Sequence, residues 1–168
     1  MPDSSILIPI VSGVISAGVS YFVSVFLKDK EYQKEYFKKV IEKRLAAYQL
    51  LETVVNELQY STANSADKRL YHVVFHTKEQ YDVFHSLLFN AVKSNLWLSH
   101  NASSQLSTLN QQIYNATLTS DFSVADERHQ AAKANFEIIT KMRDRLRHLI
   151  RHDMYHMHDV ERFFKNGN

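Results

Sequence analysis

"SILIPIVSGVISAGVSYFVSVFL", residues 5–27, runs for 23 positions without a charged side chain. An α-helix rises about 1.5 Å per residue, so roughly 20 apolar residues cross the hydrocarbon core of a bilayer. This stretch is long enough to span one with some tilt. A secretory leader would open on basic residues and close on a small-residue cleavage site. Here Met1-Pro2-Asp3 precedes the run and Lys28-Asp29-Lys30 follows it. The expectation is an uncleaved transmembrane helix over 5–27, with residues 28–168 as a separate helical domain.

Lys28, Lys30, Lys34, Lys38, Lys39, Lys43 and Arg44 crowd the far side of the run. The positive-inside rule places that side in the cytoplasm and the N-terminus outside, giving a single-pass protein in contact with membrane lipid. Within the run, Ser12, Ser16, Ser20 and Ser24 recur every four residues, with Gly13 and Ala17 on the adjacent ridge. Residues four apart share a helix face. Small residues let helices approach closely in lipid, so the stripe reads as a packing face. The sharper reading is the hydroxyl lining of a pore. One helix cannot enclose a pore, so the second reading requires a homo-oligomer, most simply a ring.

The 168-residue chain has three glycines, two prolines and no cysteine. So few turn formers argue against an all-β fold. The absence of cysteine removes disulfides, thiolate metal sites and a cysteine nucleophile. A net charge of +2 gives no bulk electrostatic reason for nucleic-acid binding. Neither GxSxG, a Walker loop nor GxGxxG occurs, so no serine-hydrolase or nucleotide site and no cofactor is expected.

No glycine or proline lies between Gly18 and Gly167, and Phe37, Ile41, Arg44, Tyr48, Leu51, Val55 and Leu58 alternate four and three apart. The membrane helix is therefore expected to continue to about Ser61 along a heptad-like seam. "STANSADK" (61–68) reads as a loop. "RLYHVVFH" (69–76) reads as a short helix or an extended piece, since Val73, Val74 and Phe75 favour strands. Thr77 opens a helix with Gln80 in the capping-box position, running to about Leu98 with Trp97 in the core. "SHNASS" (99–104) reads as a bend. "QLSTLNQQIYNATL" (105–118) is a helix with Leu106, Leu109, Ile113 and Leu118 inward. Ser123 caps a last helix, with Asp126 in the box position, that runs on through Phe164. The fold class is thus all-α: an anchor and a cytosolic bundle of about four helices.

The last helix carries "RHLIRHDMYHMHD" (147–159). Its apolar stripe is Phe136, Ile139, Met142, Leu146, Leu149, Ile150, Met157 and Val160. Asp153 falls near the middle of that stripe. A carboxylate there needs a partner, and an Arg or a His is the expected one. His148, His152 and His156 stand four apart, a spacing at which two imidazoles can share an ion, with Asp153 and Asp159 as oxygen donors. Without Cys or HExxH, no metal is expected. Arg143–His148, Arg147–His152 and Arg151–His156 are each five apart. His can shuttle protons near neutral pH, and Arg can neutralise a phosphate in a transition state.

The third pair, "RHDMYH", resembles the R-x4-6-H motif of the HEPN superfamily, helical-bundle domains that commonly dimerise and often cleave RNA. Anchor, small helical domain and late R-x4-H together resemble the small accessory membrane proteins of type VI-B CRISPR systems. That resemblance implies an inner (plasma) membrane protein of antiviral defence. It implies assembly into a membrane pore that depolarises the cell when a partner, an RNA-guided RNA-cleaving effector, is active. Carried over, the motif lands on Arg151 and His156, as a salt-bridged or solvated structural face, as a working ribonuclease pair with direct RNA binding, or as an element reused for assembly. A membrane adaptor without a pore is the remaining expectation.

Overall fold

A computed structural model describes the backbone of residues 4–63 and 68–157, and the side chains of residues 28, 30–63 and 68–157. The side chains of Ser12, Gly13, Ser16, Ala17, Ser20 and Ser24 lie outside the described residues, as do Asp159 and Val160. Among the described residues, no helix is long and apolar enough to cross a membrane. Those residues contain four α-helices and one small antiparallel ribbon, a mostly helical, all-α chain.

The first helix, α1, runs Ser4–Glu57. The chain divides into two compact units, Met1–Val40 and Ile41–Asn168. In the first unit, Lys28, Lys30, Lys34, Lys38 and Lys39 are exposed, as is Tyr32. Phe37, expected at the head of the seam, is exposed too, with its ring edge-on to Tyr36 at 6.1 Å.

In the second unit the seam is largely as expected. Arg44, Tyr48, Leu51, Val55 and Leu58 are buried, and Ala47 and Val54 widen the stripe. The segment expected as a loop begins with a strand, β1 (Ser61–Ala63). It pairs antiparallel with β2 (Leu70–His72) in the register Ser61–His72, Thr62–Tyr71, Ala63–Leu70. The ambiguous segment 69–76 is both of its alternatives in succession, since a 3-10 turn over Val73–Phe75 follows β2 directly. Thr77 then caps α2 (Lys78–Lys93) in a complete capping box with Gln80. Tyr81, Phe84, Leu88 and Ala91, spaced three and four, form its buried face.

The α2 helix ends five residues before the expected Leu98, at Ser94-Asn95, whose polar side chains compete with the helical backbone. A 3-10 turn over Asn95–Trp97 follows, and Trp97 is half-buried against the core rather than within it. The expected bend at 99–104 is instead the start of α3 (His100–Leu118): the Ser99 hydroxyl accepts the Ala102 amide as an N-cap. Ala102, Leu106, Leu109, Ile113 and Ala116 are buried, while Leu118, expected inward, is exposed.

The last helix, α4, spans Ala125–Tyr155, and Ser123 does not cap it. Its hydroxyl and amide bond Asp121 Oδ1 instead, at 2.6 and 2.9 Å, an Asx-type turn that holds the Asp121 carboxyl below its usual range. α4 packs along α3 and against β2. Ala132, Ile139, Leu146 and Ile150 are buried on its inner face, with Met142 and Leu149 packed beside them. Its described end is Tyr155, well short of Phe164.

Candidate functional site

Asp153 sits on the last turn of α4 with its side chain only 11% exposed. Its partners are two hydroxyls and, of the Arg or His expected, a histidine. Tyr48 on α1 donates to Oδ2 at 2.6 Å, and the Ser99 hydroxyl donates to the same oxygen at 2.5 Å. Oδ1 lies 3.2 Å from His152 Nδ1, on an exposed ring that serves as the peripheral cationic partner when protonated. The Ser99 amide donates to the Tyr48 oxygen at 3.0 Å. Three helices thus meet at one carboxylate, and the two hydroxyls resolve the cost of burying it. Its place at the N-terminal end of α3 adds a favourable helix dipole. Burial, and then the bond to Asp153, push the Tyr48 phenol up to about 12, so it remains a donor across the neutral range.

This is not a nucleophile triad. A serine nucleophile needs an imidazole to take its proton. Here Ser99 gives its proton to the carboxylate, and among the described residues the imidazole on that carboxylate, His152, is bound to its other oxygen. The arrangement joins elements. Tyr48→Phe removes a hydrogen bond to a carboxylate and leaves the Ser99 amide without its acceptor. The expected loss is about 2 kcal/mol of unfolding free energy, read from the fluorescence of Trp97, the single tryptophan.

The Arg-x4-His pairs fall around this hub. Five residues turn a helix by about 140°, so no register places its Arg and His on one face. Arg143 donates to the Leu58 carbonyl at 3.1 Å, closing the end of α1, and holds Asp144 at 2.8 Å. Arg147 donates to Gln59 Oε1 at 3.0 Å. Arg151 is exposed. His156 is the half-buried residue that ends α4, its ring 5.0 Å from His152 and 5.2 Å from Tyr155. Among the described residues, no group of three His, Asp or Glu is arranged to hold a metal ion.

Three further polar features, one of them the seam residue Arg44, were not expected as sites. Buried Arg44 donates to the Met157 carbonyl at 3.2 Å, just past the end of α4. Buried Arg128 on α4 donates to three carbonyls: Phe122 at 2.7 Å, Phe75 at 3.1 Å and His76 at 3.2 Å. Beside it, Tyr71 bonds His76 Nδ1 at 2.9 Å, and His129 Nε2, which must donate, reaches the His76 carbonyl at 3.0 Å. His72 is fully buried, with Nε2 3.3 Å from the Thr140 hydroxyl, and Nδ1 has no hydrogen-bond partner among the described residues. Burial and the nearby Arg143 charge lower His72 to about 4.

No protein-family model matches the chain, and no curated protein or solved structure matches it.

Proposed function

We propose that the chain is an accessory membrane protein of antiviral defence, of the kind that accompanies type VI-B CRISPR effectors. In this reading residues 5–27 anchor it in the inner membrane with the following domain in the cytoplasm. Copies assemble into a ring whose serine-bearing helices surround a conduit. The RNA-guided effector, when active, opens that conduit or favours its assembly, and the membrane depolarises.

The observation that carries the membrane part is the uncharged run 5–27 followed by seven basic residues before Tyr48. The serine stripe supports self-assembly, because small residues on one ridge favour helix contacts in lipid. The effector as partner rests on the resemblance described above.

The full chain in liposomes should release a trapped ion-sensitive dye. The double change Ser16→Leu, Ser20→Leu should reduce that release severalfold while the chain stays inserted. Insertion without release would favour the membrane adaptor.

A tethered ribonuclease is the second reading, favoured by the exposure of Arg151. It predicts RNA cleavage by the purified full chain that Arg151→Ala or His156→Ala abolishes. The commitments of Arg143 and Arg147 to α1 support an assembly or structural role for this helix instead.

A further inference from the structure

The outer face of α4 is exposed along its length, and its charges are divided. Toward the N-terminus it carries Glu127, Ala134 and Glu137; toward the C-terminus, Arg145, His148 and Tyr155; between them stands Lys141. These positions are symmetric about Lys141. Glu137 and Arg145 lie four residues either side of it, Ala134 and His148 seven, Glu127 and Tyr155 fourteen. At about 100° per residue, all point within roughly 40° of Lys141. The helix dipole does not account for the division. It acts on the first and last turns, and Glu137 and Arg145 lie well inside both ends.

We propose that this face pairs with the same face of a second copy, antiparallel, about a two-fold axis at Lys141. Glu137 of each chain then meets Arg145 of the other, twice by symmetry. Ala134 leaves room for the His148 ring, and Glu127 accepts from the Tyr155 hydroxyl. A parallel pair would set Arg145 on Arg145 and Glu137 on Glu137. A polyanion such as RNA would meet the acidic half of the same face, so a second copy fits it better. The two Lys141 side chains meet at the axis, each four residues after a Glu137 of its own helix, a spacing and order that favour an ion pair. The pairing requires self-association but not a membrane conduit.

The absence of cysteine makes single introduced thiols clean reporters. The full chain in detergent is treated with a short bismaleimide. Lys141→Cys should give a cross-linked dimer in high yield. Ala134→Cys and His148→Cys should give little alone and a strong cross-link when the two variants are mixed and reassembled. Glu137→Arg, placed in the Lys141→Cys background, should lower its yield at least severalfold, and adding Arg145→Glu should restore it. Absence of a cross-link through Lys141→Cys overturns the pairing, as does strong cross-linking by Ala134→Cys alone. The mass of the unmodified assembly is read in parallel. An assembly larger than a dimer with no cross-link at 141 rejects the pairing and leaves the proposed ring standing. A dimer as the largest species, cross-linked at 141, upholds the pairing and rejects the ring.

Discussion

Replacing Arg128 by methionine should cost about 3–5 kcal/mol of unfolding free energy. The side chain is 5% exposed and holds the carbonyls of Phe75, His76 and Phe122. Those carbonyls belong to the turn after β2 and to the α3–α4 connection, two segments with few backbone bonds of their own. Methionine keeps the packing of the aliphatic stem, so the loss isolates the guanidinium. Without it, the buried Phe75 and Phe122 carbonyls lose their donor while the His76 carbonyl keeps that of His129, and each unsatisfied buried acceptor costs about 1–3 kcal/mol. Lysine should recover little, because its single ammonium cannot present donors along the three directions that the planar guanidinium serves. Denaturant unfolding followed by Trp97 fluorescence checks both variants. A loss under about 1 kcal/mol, or full recovery by lysine, would show that the carbonyls find other donors.

The second large effect is acid sensitivity seated at His72. Its folded pKa, about 4, lies below the unfolded histidine value of about 6.5. Between those values the unfolded chain binds the extra proton, so stability rises with pH across the window. The contribution is intact above pH 6.5, declines as pH falls, and is fully lost once pH passes below the folded value. The expected size is about 2.5 kcal/mol between pH 7.5 and 4.5. The cause is geometric: the ring is fully buried against Phe136, and Arg143 supplies a like charge nearby. His72→Gln keeps a polar side chain and cannot titrate. Subtracting its pH profile from that of the parent removes the carboxylates, which respond in the lower part of the same window. A parent and a variant with parallel profiles from pH 7.5 to 4.5 would place the acid response elsewhere.

Arg128 stood at a stripe position that the sequence marks only faintly. Arg128 is four residues before buried Ala132, on the line that continues to Ile139, Leu146 and Ile150. A cation on that line is the same signal that Asp153 gave, yet Asp153 lay among large apolar neighbours and Arg128 among alanines. For Asp153 the stripe foretold a partnered carboxylate. It could not foretell hydroxyls as the main partners, because Tyr48 and Ser99 are brought to it from 105 and 54 residues away. The seam of α1 and the Thr77–Gln80 box were legible because their rules are local: heptad spacing in one case, a four-residue cap in the other. Ser123 misled because Asp121, two residues earlier, competes for its hydroxyl and amide. Ser99 was missed because "SHNASS" contains several polar residues that could cap or bend, and only the burial of Leu98 and Ala102 selects Ser99 as the cap. The β1–β2 ribbon escaped because three-residue strands carry too little alternation to stand out.

The Arg/His helix changes character once its neighbours are in place. Arg143 and Arg147 fasten the end of α1, and His156 closes α4. Arg151 and His148 remain on the surface of the same helix, beside the divided face centred on Lys141. A segment that resembled an active site in isolation thus joins helices on its inner side and presents a charged face on its outer side. The self-assembly at a membrane that we propose uses both.

That claim is tested most directly by the mass and shape of the full chain reconstituted in lipid nanodiscs, measured by single-particle mass and by electron microscopy. A closed ring of several copies surrounding the membrane-embedded segments is the result expected. A uniform population of monomers, in nanodiscs large enough to hold many copies, would contradict it.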